Sequence, residues 1–113
     1  MTDSLEELAR RWRLAEQQLY PTILADPSAY QRYVLAVRGL ADDLSVVASP
    51  EALAASWPTS ATRAAEHLRA VGDTGDPAVA ELVAGAAFAL REREIAAAQA
   101  AAERRRRPVG HAS

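Results

Sequence analysis

The sequence predicts an all-α protein, a small antiparallel bundle of three long helices plus one or two short ones, and three observations carry that prediction. Apolar residues recur at steps of three and four along most of the chain. Three pairs of a side-chain oxygen and a proline, Asp26-Pro27, Ser49-Pro50 and Asp76-Pro77, stand where helices should begin. The oxygen takes an orphan amide of the first turn, and the proline has no amide to lose there. No segment alternates apolar and polar residues as a half-buried strand would.

The first helix is predicted to start at Ser4, whose spacing to Glu7 is that of a capping box. Leu5, Leu8, Trp12, Ala15 and Leu19 share one face of it. Pro21 is expected to end it at Tyr20, because the residue before a proline is disfavoured in the helical region. The second helix opens at Pro27, and its stripe of Tyr30, Tyr33, Val34, Val37, Leu40, Ala41, Leu44 and Val47 predicts one continuous helix. Gly39 interrupts that helix at a cost of ~1 kcal/mol relative to alanine. It fits either a close helix crossing or a glycine that is merely tolerated.

A short helix should run from Pro50 to near Ser56, with Leu53 and Trp57 one turn apart. Pro58 is expected to break or kink the chain, with Thr59 or Ser60 capping a continuation through Ala64, Leu68 and Val71. Gly72 stands where a left-handed cap belongs, and the stretch from Gly72 to Asp76 reads as a loop. Asp76-Pro77 opens the last helix, with no stop signal before Pro108. Thirty residues of helix span ~45 Å, so the distal part is expected to overhang the bundle. Residues 1–107 read as one domain and residues 108–113 as a disordered tail.

Composition narrows function by exclusion. The 113 residues include no cysteine, which removes disulfides, thiolate metal sites and a cysteine nucleophile. All 13 basic residues are arginine, and together with 27 alanines this is the bias of a GC-rich bacterial gene. The longest apolar run, Leu82 to Leu90, is far short of the ~20 residues that a membrane span requires. The acidic start has no apolar segment behind it, so no secretory leader is read and the cytoplasm is the expected compartment.

Two features point to a partner. Val79, Leu82, Val83, Ala86 and Leu90 fall on one side of the last helix, while Phe88 and Ile95 fall almost opposite, with Gly85 beside them. A helix apolar nearly all round is either central in its own bundle or closes a second surface against another molecule. Leu35 likewise lies off the main stripe of the second helix. Phe88, Ile95, Leu35 and Gly85 are therefore the candidate interface residues. The second feature is charge. The first 103 residues hold 15 carboxylates against nine arginines, whereas Arg104, Arg105, Arg106 and Arg107 follow with no acid after them. Such a cluster could contact nucleic-acid phosphates, complement the helix macrodipole, or dock on the acidic body of a neighbour. Nucleic acid is the weaker reading, since no aromatic lies near the cluster to stack on bases.

Candidates for chemistry are sparse. His67 lies in a polar helical stretch and His111 in the tail, with no metal-ligand spacing around either. Asp42 and Asp43 are adjacent, which on a helix aims their carboxylates ~100° apart. No glycine-rich phosphate cradle or nucleophile elbow appears. Trp12, Tyr20, Tyr30, Tyr33 and Trp57 would line an apolar ligand pocket if they converged, and otherwise form the core. The sequence thus predicts a non-enzymatic helical interaction module without cofactor or metal. Its expected partner is a copy of itself or another helical protein. A nucleic-acid-associated protein and a small apolar-ligand-binding bundle are the alternatives.

Overall fold

The structure, a computed structural model, describes residues 5–106. Five α-helices fill it: α1 (Leu5–Leu24), α2 (Pro27–Asp43), α3 (Pro50–Ala55), α4 (Trp57–Ala70) and α5 (Pro77–Arg106), with a 3-10 turn (Leu44–Val46) after α2. No strand occurs among the described residues. The all-α bundle with a long last helix is the observed architecture. The Ser4 cap, Arg107, the tail and His111 lie outside the described residues.

The cap signals work as their chemistry dictates. Asp26 Oδ1 accepts from the amides of Ser28 at 3.0 Å and Ala29 at 3.4 Å. Ser49 Oγ accepts from the Ala52 amide at 3.2 Å, and Asp76 Oδ1 from the Ala78 amide at 2.8 Å. Helix α4 ends in a Schellman motif on Gly72, whose φ is +93°. The Gly72 amide donates to Arg69 O at 3.1 Å and the Asp73 amide to Leu68 O at 2.9 Å.

The proline breaks are shifted from their expected places. Helix α1 does not stop at Tyr20 but runs through Pro21 to Leu24. The extra turn carries Ile23 into the core at 7% exposure. Burying an isoleucine is worth about 1.5–3 kcal/mol, which is comparable to the ~3 kcal/mol that an interior proline costs. Pro58 does not break the chain either. It occupies the first turn of α4, where its missing amide is harmless, and the boundary falls one step earlier at Ser56. Thr59 and Ser60 accordingly do not cap: their hydroxyls donate backwards to Ser56 O at 3.3 Å and Trp57 O at 2.6 Å. The second stripe also ends sooner than predicted, because α2 closes at Asp43 and tightens into the 3-10 turn.

Helix α5 is the axle of the bundle, touched by α1, α2, α3 and α4. Leu82, Val83, Ala84, Ala87, Phe88 and Ile95 are all buried, on faces that point in opposite directions. Gly39 proves to be a crossing point: a Cβ there would lie 2.5 Å from His67 Nδ1 on α4.

The loop after α4 is fastened by Asp73. Burial would raise its carboxyl, but hydrogen bonds from Arg32 Nε at 3.2 Å and the Gly75 amide at 3.3 Å, with the charge of Arg32, hold it below the ordinary carboxylate value. A depressed value means that this carboxylate stabilises the fold above about pH 4 and stops doing so as pH falls through the folded-state value. Asp73→Asn should therefore cost about 1–2 kcal/mol at pH 7, and the gap to wild type should close in urea melts at pH 2.5. A gap that persists in acid would show that charge is not what holds the loop.

Candidate interaction surface

The residues expected to form a spare apolar face are covered by their own chain. Phe88 and Ile95 are each 4% exposed, and Gly85 is buried. The Phe88 ring meets Trp57 edge to face at 5.0 Å and 88°. A Cβ on Gly85 would overlap the Trp12 indole, so the glycine is there to seat that ring. Gly85 and Phe88 thus close α1 and α4 onto α5, and an interface built on Phe88 as its anchor does not stand. Leu35, at 44% exposure, is the one member of the four that faces outward.

The aromatics do not converge. Tyr20 meets Tyr30 and Tyr33 edge to face, and Tyr30 and Tyr33 pack tilted, with centroids 5.8–6.4 Å apart, joining the end of α1 to the start of α2. Burial pushes the Tyr33 phenol well above its usual value. Trp12, Trp57 and Phe88 form a separate group around a cavity of ≈ 20 Å³. That is about room for one water and far too little for a drug-sized apolar ligand. Trp12 Nε1 is buried beside it without an acceptor among the described residues.

His67 has a carboxylate that sequence spacing did not reveal. Its Nε2 lies 2.7 Å from Asp43 Oδ2, bridging α4 to the end of α2 across 24 residues. In a nucleophile-activating pair the second ring nitrogen must face a hydroxyl or thiol. Here Nδ1 packs on Gly39. The contact works as a tie between helices. Among the described residues no group of three or more histidines and carboxylates could hold a metal ion. Among the described residues no helix is long and apolar enough to cross a membrane.

Sequence reasoning also missed Arg91. It reads as one charge in the run Arg91-Glu92-Arg93-Glu94, yet its side chain is only 12% exposed. Its guanidinium donates to Leu44 O at 3.1 Å, Ser45 O at 3.4 Å and Val47 O at 2.8 Å. These carbonyls lie where α2 and the 3-10 turn run out of amide donors. Only the alternation of charge with Ile95 hinted at a half-buried face.

What α5 leaves uncovered is its distal third. Beyond Ile95 no residue of α5 is buried, and residues 96–100 and 103–106 are exposed while still helical. Eleven residues therefore project by about 16 Å, in a molecule 57 Å along its longest axis. Where α5 leaves the body, it forms a groove of ≈ 330 Å³ with Ser45, Val47 and Ala48. Val47, Ile95, Ala98 and Ala102 give the groove its apolar surface, with Glu94 and Arg106 at its ends. Leu35 lies outside it. Arg104, Arg105 and Arg106 are exposed at the tip. Being consecutive, they point ~100° apart and do not share one face. Fold and surface together define a closed helical bundle with one projecting helix. Comparison of the chain with known protein families, curated proteins and solved structures gives no match.

Proposed function

We propose that this protein is a non-enzymatic helical interaction module that engages a helical partner along the projecting third of α5. The observation that supports the reading is that α5 stays helical for eleven residues beyond its last buried side chain. Such a segment gains nothing from its own core, and its alanines favour a helix without covering it. A helix laid beside it would bury Ala98 and Ala102 together with the exposed edge of the groove. Leu35 is at most an outlying contact. The tip arginines supply electrostatic attraction to an acidic partner, and the acidic body of the bundle is itself such a surface. Phosphate binding by Arg104 to Arg106 is less well supported, because the three side chains diverge and no aromatic follows Phe88.

Photo-cross-linking in the source cells tests the reading. A cross-linking residue at position 98 or 102 should yield discrete adducts with polypeptide, either this chain or another. The same residue at Thr62, which is exposed on α4, should yield none. Equal background at all three positions would overturn the proposal.

A further inference from the structure

The flank of α5 that borders the groove carries opposite charges, Glu94 lining the groove and Arg105 lying just outside it. Glu94 stands at its body end and Arg105 at the tip of the helix, both exposed. They are eleven residues apart, close to three full turns, so they project from the same flank of α5. Arg91 Nη1 reaches Oε1 of Glu94 at 3.1 Å, leaving the other oxygen for a partner. Between the two charges run Ala98 and Ala102. Alanine at both positions lets a neighbouring axis approach at the near end of the usual 8–10 Å range.

This arrangement is complementary to itself in one orientation. A two-fold axis perpendicular to α5, placed midway between positions 94 and 105, brings an antiparallel copy alongside with like flanks facing. Glu94 then meets the partner's Arg105, and Arg105 meets the partner's Glu94. Ala98 packs on the partner's Ala102, and the aliphatic stem of the partner's Arg106 overlies the edge of Ile95. A parallel copy in register would instead place Glu94 against Glu94 and Arg105 against Arg105. The antiparallel pair also sets the two helix dipoles head to tail. We propose that a second copy of this chain occupies the groove, its α5 lying antiparallel with Glu94 opposite the partner's Arg105. This rests on the reading of α5 as a docking helix and names its partner.

Sedimentation of the full chain across micromolar concentrations, with single and paired charge reversals, tests it. Wild type should dimerise, and raised salt should weaken the dimer. Glu94→Arg and Arg105→Glu should each weaken the dimer about tenfold or more, since each sets like charges opposite at two symmetric places. The double variant Glu94→Arg/Arg105→Glu should return to within a few-fold of wild type. Both positions are exposed, but Glu94 also pairs with Arg91, so the melting temperature of each variant is measured alongside. The double variant carries the same loss at position 94 and separates folding from pairing. A wild type that stays monomeric, a dimer indifferent to both reversals, or a double variant as weak as the singles would overturn the inference. A monomer that still yields adducts at positions 98 and 102 with other polypeptides would sink self-pairing while sparing the interaction reading. A monomer with no adducts would remove both.

Discussion

Phe88→Ala should cost the folded protein about 3–5 kcal/mol, the usual loss when a buried phenylalanine leaves a cavity. The ring is 4% exposed, stands edge-on to Trp57 and borders the small cavity by Trp12, a site already imperfectly filled. Removing it would also deprive Trp57 of the aromatic partner that holds the start of α4 against α5. Denaturant melts of wild type and variant should show the loss as a lower midpoint, at any protein concentration. An interface residue would behave otherwise: its truncation would reduce assembly mass and leave a melt of the dissociated chain unchanged. A loss below about 1 kcal/mol, well under the usual cost of truncating a buried phenylalanine, would mean that Phe88 does not lie in the core.

Arg91→Ala should cost about 2–4 kcal/mol, since hydrogen bonds from a charged donor contribute more than neutral ones and the acceptors left behind are partly buried. The three carbonyls it serves belong to Leu44, Ser45 and Val47. Without the guanidinium, Leu44 O keeps only the Val47 amide, and the chain leaving α2 loses its charged donor at a place where the helix presents partial negative charge. Arg91→Lys should recover less than half of the loss. A single ammonium can match the charge but cannot span three diverging acceptors as a planar fork does. Amide exchange should quicken first around the turn after α2, ahead of global unfolding. If lysine restored full stability, charge alone would be the cause and the geometry of the fork would be irrelevant.

The two results bear on function through the same helix. Phe88 and Arg91 fasten α5 to α4 and to the end of α2, and they lie just before the point where burial ends at Ile95. The body thereby holds the base of the projecting segment in a fixed direction. For the proposed docking, a helix anchored at its base loses less conformational freedom on binding than a free peptide would.

The sequence by itself determined what local chemistry can specify. Asp26-Pro27, Ser49-Pro50 and Asp76-Pro77 begin helices, and Gly72 ends one, because each signal satisfies or removes amides within a few residues of itself. The overhang was equally legible, since thirty residues without a stop outrun a short bundle. Tertiary structure alone decided where the chain ignores a local preference and which apolar faces meet. Pro21 stays inside α1 because Ile23 gains a core contact that the sequence around it does not reveal. Phe88, Ile95 and Gly85 advertise a second apolar face, but periodicity cannot say whether one's own helices or another molecule will cover it. Trp12, 73 residues away from Gly85, answers that question. The pairings of His67 with Asp43 and of Arg91 with the turn after α2 were hidden for the same reason. Hydrogen bonds between distant residues follow from how helices cross, and crossing is set by the shape of the whole core, which no stretch of sequence contains.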